Sequence, residues 1–305
     1  LLAAFNHMHI FIDPNPDPQI SYVERKRMFA LPRSKWTDYD LKTISRGGGV
    51  FSRKSKSIEL SHEVRQWLGL SVSRLTPNEL IHHLLQAPVD LLWNGGIGTY
   101  IKASDEGDVG DTANDALRIL GDQVKAAIVA EGGNLGVTQK GRIEAEYAGV
   151  QLNTDFIDNS AGVDCSDHEV NLKIFLHQCL EEGLLSEKDR DRLLMSMKEA
   201  VVGLVLKNNL MQNIALSMAQ HLLPSHTHLY QRFIDESESK GFINRKVEFL
   251  PSNKTIDDRV QQGKLSLTRP ELAVLLTYSK LILQRQLLDT DLVDDPYVLA
   301  YVDEA

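Results

Sequence analysis

Three stretches share one design: Val89-Asp90-Leu91-Leu92-Trp93 runs into Asn94-Gly95-Gly96-Ile97-Gly98, Ala126-Ala127-Ile128-Val129-Ala130 runs into Glu131-Gly132-Gly133-Asn134, and Val150-Gln151-Leu152-Asn153-Thr154 runs into Asp155-Phe156 and then Asn159-Ser160-Ala161-Gly162. Each is a short apolar run that ends in glycine and asparagine. Apolar strands separated by helical stretches predict a parallel sheet covered on both faces. The fold class that follows is α/β, a Rossmann-like doubly wound parallel sheet followed by a mainly α-helical C-terminal region. In such sheets ligands bind beyond the carboxyl ends of the strands. Glycine there lets backbone approach a ligand, and asparagine offers a neutral donor and acceptor together.

Upstream, residues 5–12 read as a strand ending at Asp13 and the breaker cluster Pro14-Asn15-Pro16-Asp17-Pro18. A polar helix at about 19–29 follows, then an irregular basic-aromatic stretch and the run Arg46-Gly47-Gly48-Gly49-Val50. Thr76-Pro77-Asn78-Glu79 is a helix start, with a capping threonine, proline at the first helical position and glutamate where a capping box wants it. From about residue 164 the chain is mainly helical. Ser186-Glu187-Lys188-Asp189 resembles a second capping box, a long periodic stretch runs to about Leu223, and further helices occupy roughly 227–240 and 268–288. Two domains are expected, 1–165 and 166–305. Leu1-Leu2-Ala3-Ala4 reads as the last turn of a helix, and Asp294-Asp295-Pro296-Tyr297 as the opening of another, so the sequence reads as a piece of something longer.

The 305 residues are 42% hydrophobic and 25% charged, the composition of an ordinary soluble globular protein. No apolar run approaches the roughly 18 residues of a membrane span. A net charge of -9 argues against nucleic acid or anionic membrane as the main partner. With only Cys165 and Cys179 there is no disulfide scaffold, and a reducing cytoplasm is the default location.

Some residues invite chemistry and must be weighed against plainer roles. An acid closing an N-terminal strand, as Asp13 does, is what a dinucleotide fold uses to hold the adenosine ribose hydroxyls; an aspartate before proline is also a common turn residue. Gly47-Gly48-Gly49 suggests a phosphate cradle, but no Lys-Ser/Thr follows, so a tight turn is the better reading. Cys165 and His168 stand three apart in Asp164-Cys165-Ser166-Asp167-His168-Glu169 with no second ligand pair at zinc spacing, and no metal is expected.

Taken together, the strand ends resemble the cofactor domain of the glutamate dehydrogenase superfamily. Its ordinary members carry Glu-Gly-Ala-Asn after one strand, where this chain has Glu131-Gly132-Gly133-Asn134. They carry Pro-Asp-Phe-x-x-Asn-Ala-Gly-Gly-Val-x-x-Ser after the next, where this chain has Thr154-Asp155-Phe156-x-x-Asn159-Ser160-Ala161-Gly162-Val163-x-x-Ser166. Thr154, Ser160, Ala161 and Asn94 depart from that pattern and point to a distant branch. The wording of Ile12-Asp13-Pro14-Asn15-Pro16-Asp17-Pro18, Asp90-Leu91-Leu92-Trp93-Asn94-Gly95-Gly96 and Leu267-Thr268-Arg269-Pro270-Glu271-Leu272 looks like the very large bacterial-type NAD-specific glutamate dehydrogenases. The resemblance implies oxidative deamination of L-glutamate to 2-oxoglutarate and ammonia with NAD, in a cytoplasmic enzyme of amino-acid catabolism that is a homo-oligomer. It implies that Asp13 holds the adenosine ribose, that Asn134 and Asn159 hold the nicotinamide half, that Gly95 and Gly96 border the cofactor, and that Val163 and Ser166 meet the substrate side chain. The family's catalytic lysines and aspartate lie in a domain before its Rossmann glycines, so no catalytic residue is expected here and the chain alone should be inactive. Two rivals are an amino-acid dehydrogenase with another substrate, against which the Ser166 hydroxyl argues mildly, and a non-catalytic regulatory dinucleotide-fold module.

A carboxylate at Asp13 would accept from ribose hydroxyls and repel a 2′-phosphate, and no arginine follows until Arg25. The whole enzyme is expected to prefer NAD to NADP in kcat/KM. Equal values, or a preference unchanged by Asp13→Ser, would remove Asp13 from that role.

Overall fold

In the computed structural model, which describes residues 1–298, the chain opens with a β-hairpin. Strand β1 (Ala3–Phe5) pairs antiparallel with β2 (His9–Ile12), Ala3 opposite Ile12 and Phe5 opposite Ile10. The helical turn expected at Leu1–Ala4 is therefore replaced by a strand, and the expected strand 5–12 is split by a turn. Asn6 is the cause: its Oδ1 accepts from the backbone N–H groups of Met8 and His9, each at 2.8 Å, the local bonding that lets asparagine hold a turn. Helix α1 (Pro18–Ala30) begins with Asp17 accepting from the Ile20 N–H. Strand β3 (Gly49–Ser52) then pairs antiparallel with β2, whose Ile10, Phe11 and Ile12 are fully buried. The glycine run before β3 is the expected tight turn. Gly47 has φ +85°, and a Cβ on Gly48 would stand 2.5 Å from the Ile12 carbonyl oxygen.

Strands β4 (Ile58–Glu59) and β5 (Arg74–Leu75) pair antiparallel on either side of helix α2 (His62–Leu68). Helix α3 (Pro77–Leu85) starts with the capping box read from the sequence: the Glu79 N–H donates to Thr76 Oγ1 at 3.3 Å and the Thr76 N–H donates to Glu79 Oε2 at 2.7 Å. Its Leu80, Ile81, Leu84 and Leu85 are buried. Next come β6 (Leu91–Asn94), β7 (Ile101–Lys102), β8 (Ile119–Leu120), β9 (Ile128–Glu131), helix α4 (Gln139–Tyr147) and β10 (Gln151–Leu152). The three strands anticipated from the sequence form one sheet in the order β10-β9-β6, and β7 pairs parallel with β8. The architecture is mixed α/β. Coverage on both faces does not hold throughout: Leu91 and Trp93, two apart and so on one face of β6, are 54% and 67% exposed.

Two compact units divide the chain. Residues 1–93, 98–129 and 136–151 form one; residues 94–97, 130–135 and 152 onward form the other. The second unit contains helices α5 (Asp155–Asp158), α6 (Ala161–Glu181), α7 (Glu187–Ser239), α8 (Asn253–Gln261) and α9 (Arg269–Leu288). Ser186 caps α7 by accepting from the Asp189 N–H at 3.2 Å. The two helices expected on either side of residue 225 are continuous except for a kink at His226 (φ -124°, ψ 15°). Pro224 explains it, since proline offers no N–H to the preceding turn and crowds the carbonyl four residues back. Helix α6 begins at Ala161, earlier than the start near Asp164 that its acids suggested, because Ser160 is already in helical conformation. Helix α8 is not among the helices expected from the sequence. Of the helix expected to open at Asp294, Pro296–Val298 are helical, and residues 299–305 lie outside the described residues. Ile157, Leu216, Leu223, Ile234, Ile256 and Leu272 belong to the buried apolar cluster of this unit.

Helix α9 starts with a capping box that is wholly inside. Glu271, 0% exposed, accepts from the Thr268 N–H at 2.6 Å and the Thr268 hydroxyl at 2.9 Å, and both its carboxylate oxygens accept from Arg259 Nη1 at 3.0 Å. Burial pushes the Glu271 carboxyl up, and the Arg259 charge and Thr268 donors oppose that shift. Removing one partner of a buried pair leaves an uncompensated charge and costs about 3–5 kcal/mol. Arg259→Ala should lose that much in urea denaturation, whereas Glu271→Gln, which keeps an acceptor for Thr268, should lose less. A loss below about 1 kcal/mol for Arg259→Ala would mark the pair as behaving like an exposed one.

Candidate functional site

The glycine- and asparagine-bearing segments that follow β6 and β9 and the turns after β10 all belong to the second unit. In the first of them, Asn94 Oδ1 accepts from the Gly96 N–H at 3.3 Å, and the Asn94 Nδ2 is buried with no hydrogen-bond partner. Gly95, Gly96 and Ile97 are exposed. Gly133 lies against Gly96 so closely that a Cβ on it would stand 2.6 Å from the Gly96 carbonyl oxygen. Only glycine permits two main chains to approach in this way. At Gly95 and Gly96 the surface is bare peptide, and the Ile97 side chain beside them is exposed.

Helix α5 holds the segment after β9 at both ends. Asp158 Oδ2 accepts from the Glu131 N–H at 2.9 Å, where the segment begins. Asp155 Oδ2 accepts from the Leu135 N–H at 2.8 Å, where it ends. Leu135 has φ +59°, the left-handed region that a branched side chain seldom enters, and the Asp155 bond secures it there. Between these anchors Asn134 accepts through Oδ1 from Asn159 Nδ2 at 2.8 Å. The asparagines at the ends of the second and third strand segments are thus brought together, with Asn134 exposed and Asn159 half-buried.

Val163 and Ser166 lie one turn apart in the first two turns of α6, on one face of the helix. Both are exposed, Val163 at 70%. Ser160, not Ser166, precedes the helix, so Ser166 has no capping role. The turn between α5 and α6 is fixed from α7: Asn209 Nδ2 donates to the Ile157 carbonyl at 2.8 Å and to Ser160 Oγ at 3.0 Å, and Asn208 Nδ2 donates to Asp164 Oδ2 at 3.0 Å. The roles of Asp155, Asp158, Asn208 and Asn209 are not among those expected from the sequence. A signal for the asparagines was present, since Asn208, Asn209, Gln212 and Asn213 interrupt an otherwise apolar helical stretch. Cys165 and His168 have no third candidate metal ligand among the described residues.

Asp13 belongs to the first unit and is 1% exposed. Its Oδ1 accepts from the Ser45 N–H at 3.1 Å and from the Ser45 hydroxyl, while its buried Oδ2 has no partner. One oxygen therefore does the work of a turn residue and the other keeps its acceptor capacity free.

The model of the bacterial NAD-glutamate dehydrogenase catalytic domain matches residues 1–219, and that of the glutamate dehydrogenase C-terminal region matches residues 264–305. The chain belongs to the bacterial NAD-glutamate dehydrogenase family. It is 53% identical over 300 residues to the NAD-specific glutamate dehydrogenase of Pseudomonas aeruginosa, covering 98% of this chain and 18% of that protein. It is 49% identical to the protein of the same name from Halomonas elongata, over 99% of this chain and 19% of the relative. The Mycobacterium tuberculosis protein of that name is also 49% identical, over 96% and 18%. The chain thus spans 18–19% of the length of these relatives.

Within this family member the glycines should differ sharply in tolerance. Gly133→Ala forces a Cβ against the Gly96 carbonyl and should cost about 1–3 kcal/mol as overpacking. Gly203→Ala, inside α7 with nothing within 4 Å of the added carbon, should gain about 0.5–1 kcal/mol. Chemical denaturation of both variants checks this, and a Gly133→Ala chain as stable as the parent would contradict the close approach.

Proposed function

We propose that this chain is the cofactor-binding part of an enzyme that oxidatively deaminates L-glutamate to 2-oxoglutarate and ammonia, with NAD as the electron acceptor. The observation that carries the reading is the paired amides of Asn134 and Asn159 beside bare glycine backbone, in a segment anchored at both ends by Asp155 and Asp158. The residues suit a dinucleotide: the buried Asn94 Nδ2 is a donor without a partner, and Gly95 and Gly96 expose peptide groups that a ligand could meet without side chains in the way. NAD supplies the carbon that receives hydride. The chain's own share is to hold the nicotinamide half through Asn134 and Asn159, with Gly95 and Gly96 along its border, and to fix its orientation for transfer. Asp13, with its free Oδ2, is assigned to the adenosine ribose hydroxyls.

On this reading Val163 and Ser166 receive the glutamate side chain, the serine hydroxyl donating to the distal carboxylate. The names of the relatives support glutamate as the substrate. We assign residues 1–165 to a Rossmann-like NAD-binding domain and 166–305 to a helical region. The parent is placed in the cytoplasm as a homo-oligomer of amino-acid catabolism. No helix among the described residues is long and apolar enough to cross a membrane, and the net charge of -9 does not suit nucleic acid.

The two halves of the assignment fail in different ways. In the whole enzyme, Asn159→Ala should lose an uncharged hydrogen bond to the nicotinamide half and lower kcat/KM by about 1–3 kcal/mol. Ser166→Ala should mainly raise KM for glutamate while leaving NAD affinity and the melting temperature unchanged, since the residue is exposed and caps nothing. Normal glutamate KM in the Ser166→Ala enzyme would refute the substrate role.

A further inference from the structure

Arg269 occupies the first position of α9, where a positive charge opposes the helix dipole. It does not cap the helix, because Thr268 and Glu271 do that between themselves. Its guanidinium instead reaches across the second unit. Nε donates to Asn153 Oδ1 at 2.6 Å, Nη1 to Gln220 Oε1 at 2.7 Å and Ser217 Oγ at 3.3 Å, and Nη2 to the Asn213 carbonyl at 3.4 Å and its Oδ1 at 3.3 Å. The shortest of these bonds begins a chain. Asn153 Nδ2 donates to Asp158 Oδ1 at 2.6 Å and to Asn213 Oδ1 at 3.0 Å, and Asp158 Oδ2 accepts from the Glu131 N–H at 2.9 Å.

A cation at Asn153 Oδ1 and a carboxylate at its Nδ2 fix which way that side-chain amide points, and bonds to ionised groups are stronger than neutral ones. Each link polarises the next. We propose that Arg269 is a positioning residue for the cofactor segment, acting through Asn153 and Asp158 on the Glu131 N–H and so on the placement of Asn134. This gives the start of the C-terminal helix a task in the dehydrogenase reaction, and it rests on the assignment of Asn134 to the nicotinamide half.

The test uses the whole enzyme with Arg269→Lys, Asn153→Asp and Asn134→Ala, measuring the NAD dissociation constant, KM for glutamate, melting temperature and, without NAD, hydrogen exchange of the peptide covering Glu131–Leu135. Asn153→Asp separates relay from anchorage: an aspartate still accepts from Arg269, but it repels Asp158 instead of donating to it. Arg269→Lys and Asn153→Asp should each speed exchange in that peptide and weaken NAD about tenfold, with melting within a few degrees of the parent and glutamate KM unchanged; Asn134→Ala should weaken NAD without speeding exchange. The proposal is overturned if Asn153→Asp leaves both exchange and NAD affinity unchanged while Asn134→Ala weakens NAD, for Arg269 then only anchors α9. If Asn134→Ala also leaves NAD affinity unchanged, the assignment of the segment itself falls and the proposal falls with it.

Discussion

A segment made of Gly132, Gly133 and Asn134 has almost no side chain with which to pack, so something outside it must hold its backbone. That hold is α5. Asp155 and Asp158, three apart and therefore on one side of a single helical turn, accept from the N–H groups at the two ends of the segment. Peptide groups withdrawn from water need such partners, and carboxylates make stronger ones than neutral acceptors. With both ends pinned, Gly133 can rest against Gly96 and Asn134 can meet Asn159. The other contacts of the site presuppose this clamp.

The clamp is positioned in turn by the helices of the second unit. Ile157, between the two aspartates, is fully buried in the apolar cluster with Leu216 and Leu272. Asn209 of α7 closes the turn behind it, and Arg269 of α9 reaches Asp158 through Asn153. Apolar burial is without direction, so it secures α5 without dictating where its carboxylates point. The amides and the guanidinium supply that direction. A helical region that could pass for a separate tail is thereby the support of the segment proposed to hold NAD.

What the sequence made legible follows the range of the interactions. The capping box at Thr76 is written within four residues and stands as read, and Ser186 caps its helix through the Asp189 N–H three residues on. The three strands and their glycine ends were legible for the same reason, as was the tight turn at Gly47. The hairpin at Asn6 was missed because Ala3-Ala4-Phe5 carries helical as well as strand propensity, and the deciding bonds come from one asparagine side chain. The acids after Asp164 suggested a helix start that Ser160 supplies earlier. Arg269 and Asn153 are separated by 116 positions, and no local pattern announces such a partnership. Asp155 and Asp158 lay inside a quoted motif, yet their bonds to Leu135 and Glu131 depend on how β9 and α5 meet.

The central claim is that the anchored segment after β9 is where the nicotinamide half of NAD is held. Hydrogen exchange of the whole enzyme with and without saturating NAD addresses it most directly, read on the peptide covering Glu131–Leu135. The account predicts that NAD slows exchange there. Tight NAD binding with unchanged exchange across that peptide would contradict it.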